Sequence, residues 1–287
     1  MKIAIVGSSG YISQYLIPIF KQNKEIESII KIGKDESSDF NLDLLKAELF
    51  DYNVLNNVDF IAFTAAISSP DQCTKDFETC WKINVFGTKL FINEAIKRNC
   101  HVLFFSSDAV FGDIPGKIYD EHSVTAANTS YGIMKKEIED SFRGSMYFKA
   151  IRLSYVASCR DKFITYCLNC MKNEETAEVF HPFYRNVIVI SDVAEVVAYL
   201  IFHWDAFTPQ FLNVAGNELI SRIRIADELN NIYNNRLKYK VITPQEDFFI
   251  NRPRITQMKS IYLNEFKILK TGLFTEKIKQ EMKGIII

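Results

Sequence analysis

Lys2-Ile-Ala-Ile-Val6-Gly7-Ser-Ser-Gly10-Tyr-Ile-Ser13-Gln-Tyr-Leu16 is the stretch from which the fold is inferred. An apolar run enters a glycine turn and leaves it with apolar residues at Ile12, Tyr15, Leu16 and Ile19, which is helical spacing. Gly7 allows the sharp turn, and Gly10 lets a pyrophosphate approach backbone amides at a helix start. The spacing is G-x-x-G-x-x-S, with Ser13 standing where a third small residue would pack helix against strand. A dinucleotide is therefore the expected ligand of this turn, held by Gly7, Ser9, Gly10, Tyr11 and Ile12.

Further strand-like runs follow at a regular pitch. Ser28–Ile32 leads to Gly33-Lys34, and Val58–Phe63 leads to Thr64-Ala65-Ala66. Residues 71–98 are predicted as a helical stretch before the run His101–Phe105, and Met146–Arg152 gives another strand. Strands alternating with helices imply a parallel sheet wound by right-handed crossovers, a Rossmann-like, doubly wound α/β fold. Residues 1–155 form the dinucleotide-binding domain, with 186–215 returning to it. Residues 156–185 and 216–287 form a small C-terminal substrate lobe. Within that second half, Asp161–Met171 is predicted as a helix, Arg185–Ile190 as one strand, and Ser191-Asp192 as the cap of a helix to about His203. Phe211–Val214 is a short strand, Ser221 caps a further helix, and a last helix spans about Thr275–Lys283.

The end of the second strand is where such folds distinguish a free ribose from a 2′-phosphate, an acid favouring the first and a base the second. Lys34 favours NADP(H) slightly over NAD(H), against the adjacent Asp35. Asp43 and Leu44 lie in a segment expected near the adenine, and small Ala65 and Ala66 leave room for the cofactor backbone.

With 287 residues, 48% hydrophobic and 24% charged, the chain has the composition of an ordinary globular protein. A net charge of −1 gives no footprint for nucleic acid or an anionic membrane. No apolar run reaches 18 residues. The start runs from Met1 straight into a strand without a signal-peptide pattern, and six cysteines are scattered, so a cytoplasmic setting is expected. Cys167-Leu-Asn-Cys170 lacks a second pair, the four histidines form no ligand spacing, and no metal is expected.

The chemistry-bearing stretch is His101–Lys135. Its apolar strand ends at Ser106-Ser107-Asp108, hydroxyls at the carboxyl edge of a sheet, and Tyr131 and Lys135 lie four apart on one helix face. A tyrosine whose pKa is lowered by a lysine cation suits proton donation to a carbonyl or alkoxide oxygen, which Ser107 would orient.

Gly7-Ser-Ser-Gly10, Ala65-Ala66, Asn84-Val-Phe-Gly87-Thr, Ser106-Ser107-Asp108, Tyr131 to Lys135, Arg185 to Asp192 and Arg252-Pro253 occur in the order seen in the extended short-chain dehydrogenases/reductases that act on nucleotide sugars. The chain resembles that family over nearly its whole length. Within it, Ser107-Asp108-Ala-Val-Phe111 and Ile151-Arg-Leu-Ser-Tyr-Val156 look most like the dTDP-4-dehydrorhamnose reductase group.

The resemblance implies Tyr131 as proton donor, Lys135 as its partner and nicotinamide-ribose contact, and Ser107 as the orienting hydroxyl. It implies Asn84 as a structural support, Ser107, Asp108 and Tyr155 on the substrate side, and Arg185 and Arg252 facing a nucleotide diphosphate. Ala109 stands where 4,6-dehydratases carry glutamate, which removes the second acid of dehydration. Tyr155 stands where 4-epimerases usually carry asparagine. The expected activity is NAD(P)H-dependent reduction of a 4-keto nucleotide sugar for surface polysaccharide synthesis. A nucleotide-sugar epimerase and a non-catalytic dinucleotide-binding regulatory subunit are the alternatives. The expected partners are a nucleotide sugar and, as an option, a second copy of the chain in a homodimer.

Overall fold

The computed structural model describes residues 1–286. They form two compact units, one of Met1–Gly112, Val124–Arg152 and Leu200–Leu212, the other of Asp113–Ser123, Leu153–Tyr199 and the chain from Asn213 onward.

In the first unit β1 (Lys2–Val6) is buried from Ile3 on and pairs in parallel with both β2 (Ser28–Gly33) and β4 (Phe60–Phe63). A short β3 (Phe40–Asn41) extends the sheet beyond β2, and β5 (His101–Ser107) pairs beside β4. With β7 (Phe148–Leu153) and β12 (Phe211–Val214) this makes a seven-stranded parallel sheet, order β12-β7-β5-β4-β1-β2-β3. The predicted Rossmann-like α/β fold is observed. Strand order reverses at the β1–β4 junction, so the turns after β1 and β4 flank the topological switch point where such sheets bind ligands. The strands are near-continuous runs of Ile, Val, Phe and Ala because helices cover both faces of a parallel sheet. Among those helices are α1 (Tyr11–Gln22) and α5 (Ser130–Ser141).

The helical stretch expected over 71–98 is broken into α2 (Pro70–Lys75), α3 (Phe77–Trp81), a π-helical turn at Lys82–Gly87 and α4 (Thr88–Lys97). The Asp76 side chain caps α3, accepting from the Thr79 N–H at 3.3 Å. In the π turn, Gly87 lies so close to the next layer that a Cβ there would sit 2.0 Å from the Leu44 carbonyl oxygen. The wider turn also aims Asn84 inward; π turns of this kind often serve functional sites.

The second unit contains β6 (Ile118–Tyr119), β8 (Val156–Ala157), α6 (Lys162–Asn173), β9 (Thr176–Phe180), β10 (Tyr184–Asn186) and β11 (Ile188–Val189). After these come α7 (Ile190–Phe202), β13 (Leu219–Ser221), α8 (Arg222–Ile232), β14 (Lys238–Ile242), α9 (Glu246–Ile250), β15 (Ile255–Met258), α10 (Tyr262–Glu265) and α11 (Phe274–Glu281). The single strand expected over Arg185–Ile190 is two: β10 pairs with β13 and β15, whereas β11 pairs with β8. Between them Val187 presents its carbonyl to Gly216, where a Cβ would come within 1.9 Å. The helix expected to start from a Ser191-Asp192 cap begins at Ile190, and the Ser191 N–H is met by the Glu281 carboxylate of α11 at 3.0 Å. Phe163, Ile164, Cys167, Leu229, Phe274 and Ile278 make this unit's own core, in which the Cys167/Cys170 pair is buried packing with free thiols.

Candidate active site

The glycine turn is built by close approach. Gly7 has a φ of +86°, open to glycine, and a Cβ there would lie 2.7 Å from the Ala65 nitrogen. Ser13, in the place of a third glycine, is fully buried and its hydroxyl lies 2.8 Å from that of Thr64, which itself donates to the Val6 carbonyl at 2.8 Å. The serine therefore ties the turn to the end of β4. Gly10 caps α1 without any side-chain hydrogen bond, leaving a helix start of the kind that receives a pyrophosphate. Ser9, Tyr11 and Ile12 surround that start.

At the end of β2, Lys34 is 72% exposed in its side chain and pairs with Asp43 at 3.1 Å. Asp35 turns back toward the glycine turn. Hydroxyls of Ser37 and Ser9 hold its carboxyl below the usual carboxylate range, and one of its oxygens is buried without a hydrogen-bond partner among the described residues. Asp43 caps the 3-10 turn Leu44–Leu49 and is held low by the Leu45 N–H, with Lys34 adding to it. Ala65 and Ala66 lead to Ile67, whose N–H and carbonyl both bind the Asn84 side-chain amide, at 2.8 and 2.9 Å. Asn84 thus fixes the segment beyond β4 rather than offering a reactive group.

Ser107 ends β5. Its hydroxyl donates to Asp108 Oδ1 at 3.0 Å and accepts from the Ala109 N–H at 3.2 Å, capping the 3-10 turn Asp108–Phe111. Helix α5 packs directly on that turn: at Gly132 a Cβ would meet the Ala109 carbonyl oxygen at 2.3 Å. Only glycine lets Tyr131 sit this close to the Ser107–Ala109 turn. One helical turn on, Lys135 donates to the Phe105 carbonyl at 2.7 Å, its ammonium 4.4 Å from the Phe104 ring centre and 5.7 Å from that of Tyr131.

Burial brings the Lys135 ammonium down to about 7, opposed by Glu139 and Cys73. Burial also raises the Tyr131 phenol well above its ordinary range, with Cys73, Asp108 and Tyr11 adding to the effect. The lowering of Tyr131 expected from Lys135 is outweighed by burial, and the phenol stands above its ordinary range. The phenol is held protonated, the form a proton donor needs.

Beneath this pair lies a network not anticipated from the sequence. Glu139 accepts from Ser106 Oγ at 2.6 Å and from Arg152 Nη2 at 2.7 Å and Nε at 3.1 Å. The available signal was the four-residue spacing of Tyr131, Lys135 and Glu139 along one helix face.

The catalytic and cofactor candidates thus gather at the carboxyl ends of β1, β2, β4 and β5 in the first unit. Tyr155, Arg185 and Arg252 belong to the second unit. The Tyr155 hydroxyl hydrogen-bonds the Asp161 carboxylate. Arg185 donates to the backbone carbonyls of Tyr184 at 2.6 Å and Pro253 at 2.8 Å, and the Arg252 guanidinium lies 5.0 Å from the Phe248 ring centre. Among the described residues no cluster of three metal-ligating side chains occurs, and no helix is long and apolar enough to cross a membrane.

The family model described as the RmlD substrate binding domain matches residues 1–285. The chain belongs to this family. With it the resemblance to extended short-chain dehydrogenases/reductases of nucleotide sugars is established. A dTDP-4-dehydrorhamnose reductase of Aggregatibacter actinomycetemcomitans is 26% identical over 140 residues, 48% of this chain. The match spans 45% of that reductase, under half its length. Among solved structures, a dTDP-4-dehydrorhamnose reductase of Clostridium acetobutylicum superposes with a TM-score of 0.83 at 20% identity, covering 98% of each chain. UDP-glucose 4-epimerase of Thermus thermophilus, in complex with NAD, gives 0.83 at 14% identity with all of both chains covered. The Thermotoga maritima UDP-glucose 4-epimerase gives 0.81 at 15%, covering 99% of this chain and 98% of that one. The RmlD-family chain therefore shares one fold with reductases and epimerases alike.

Proposed function

We propose that this RmlD-family protein reduces the 4-keto group of a nucleotide sugar with a reduced nicotinamide dinucleotide. The observation that carries the reading is the placement of Tyr131, held protonated by burial, one turn from Lys135 and packed through Gly132 onto the turn that begins at Ser107. The residues fit the cofactor: a glycine cradle that any Cβ would fill, an uncapped helix start, and an acid with a buried, unpartnered oxygen at the end of β2. Gly7, Ser9, Gly10, Tyr11 and Ile12 would hold the pyrophosphate, and Asp43, Leu44, Ala65 and Ala66 the adenosine side. When bound, the reduced nicotinamide supplies a hydride to the carbonyl carbon.

The protein's part is the proton. As the carbonyl oxygen gains negative charge, the Tyr131 hydroxyl donates its proton to it, and the Ser107 hydroxyl orients that oxygen. Lys135, fixed by the Phe105 carbonyl, stabilises the phenolate left behind. Ala109 offers no second acid for eliminating water.

Asp35, rather than Lys34, sets the cofactor choice in this reading. An anionic carboxylate beside the turn accepts ribose hydroxyls and repels a 2′-phosphate, while Lys34 is engaged with Asp43. The preference therefore leans to NAD(H).

An epimerase recycles its nicotinamide, whereas a reductase consumes it. Incubation with a panel of 4-keto nucleotide sugars should oxidise one reduced nicotinamide per sugar reduced. Interconversion of sugar epimers with no net oxidation would overturn the reductase reading.

A further inference from the structure

Proton donation from Tyr131 leaves a phenolate, which is steadied only while Lys135 carries its charge. Yet Lys135 is buried, and burial by itself favours the neutral amine. The groups around it come from three elements. On α5, Tyr131 lies one turn before it and Glu139 one turn after it. From β5 come the Phe105 carbonyl at 2.7 Å and the Phe104 ring, its centre 4.4 Å from the ammonium, and α2 brings Cys73. Asp108, in the turn after β5, acts on Tyr131. Burial raises the Cys73 thiol well above its ordinary range, with the Cys80 thiol adding to it, so Cys73 is neutral at working pH. Glu139 is then the anion that favours the ammonium.

Two routes lead from Glu139 to Lys135. One is electrostatic: residues four apart on a helix stand about 5–6 Å apart at Cβ, and out of contact with water an opposite charge at that range acts strongly. The other is mechanical. Glu139 Oε1 accepts from Ser106 Oγ at 2.6 Å, and Ser106 adjoins Phe105, whose carbonyl receives the ammonium. A bare carboxylate could not be buried this deeply. Arg152 supplies the counter-charge, with Nε 3.1 Å from each carboxylate oxygen and Nη2 2.7 Å from Oε2. The guanidinium carbon itself is held 5.0 Å from the Phe111 ring centre and 4.8 Å from that of Phe211. The charges thus alternate in a buried series, from Arg152 on β7 through Glu139 to Lys135 and the phenol it serves.

We propose that Glu139 is a positioning residue for the reduction: its carboxylate keeps the Lys135 ammonium charged and, through Ser106, fixes the Phe105 carbonyl that holds it. This rests on the reductase reading and deepens it, since it names what lets a buried lysine stay a cation beside a phenol that must give up its proton.

The test is a pH titration of the full chain with isotope-labelled lysine, read by NMR at the Lys135 side chain, whose signal is identified by its loss in Lys135→Met. The kcat/KM for a 4-keto nucleotide sugar is measured over the same pH range. Wild-type Lys135 should titrate at about 7. Glu139→Gln should lower that midpoint by about one unit or more, the shift one nearby charge produces, and kcat/KM at neutral pH should fall by about fivefold or more and recover at lower pH. A carboxylate that served only as a clamp would lower the rate at every pH and leave the midpoint in place, which overturns the proposal. Should the Gln variant fail to fold, the double Glu139→Met, Arg152→Met variant removes both charges and should move the midpoint the same way; an unmoved midpoint there overturns it equally. If the wild type reduces no 4-keto sugar, the reductase reading fails, while the NMR titration still decides whether Glu139 holds the charge on Lys135.

Discussion

Glu139 and Arg152 form a bidentate ion pair that is 0% and 2% exposed, the carboxylate on α5 reaching the guanidinium on β7. Ser106 on β5 donates to the same carboxylate, so three elements meet on one buried charge pair. The neighbouring residue, Phe105, supplies the carbonyl that holds Lys135. The pair therefore clamps α5 against β5 just below the candidate catalytic residues.

Removing one partner leaves an uncompensated buried charge. Glu139→Gln should cost about 3–5 kcal/mol, and a double Glu139→Met, Arg152→Met variant should recover much of that loss. Urea denaturation of the single and double variants measures both. A single-variant cost below about 1 kcal/mol would mean the pair does not clamp the helix.

The shift of Lys135 sets a pH dependence. In the free protein its ammonium is charged below about 7 and neutral above, so kcat/KM for reduction should fall as pH rises through about 7. Stability should move in the opposite sense. The unfolded chain keeps this proton up to about 10.4, the fold releases it near 7, and the penalty for burying the charge is lost as pH rises between those values. A pH–rate profile flat from 6 to 9 would contradict the first expectation.

On the proposed reading, cofactor choice rests on two adjacent residues, Lys34 and Asp35. With Asp35 beside the glycine turn and Lys34 paired to Asp43, wild type should use NADH better than NADPH. Asp35→Ser should raise the kcat/KM ratio of NADPH to NADH by about tenfold. Steady-state rates with both cofactors test it; an unchanged ratio would remove Asp35 from the selection.

The sheet and its glycine turn were legible in the sequence because β1, β4 and β5 are uninterrupted apolar runs and Gly7 is followed by helical spacing. The breaks in the 71–98 segment were not. Its apolar periodicity continues through the π turn, whose contacts are with residues outside the segment, Gly87 against Leu44 and Asn84 with Ile67. The strand pair β9 and β14 joins Thr176–Phe180 to Lys238–Ile242, a contact no local pattern announces. Of the candidate site, the spacing of Tyr131 and Lys135 was weak evidence by itself and gained weight from the glycine turn upstream and the motifs downstream. Glu139 was hidden as one more helix acid.

The proposed reaction turns on Tyr131 as the proton donor to the sugar oxygen. Single-turnover reduction of a 4-keto nucleotide sugar by the Tyr131→Phe variant, followed by loss of reduced-nicotinamide absorbance, tests it most directly. The rate should fall by about 10²- to 10⁴-fold with cofactor affinity unchanged. A variant that reduces the sugar at close to the wild-type rate would contradict it.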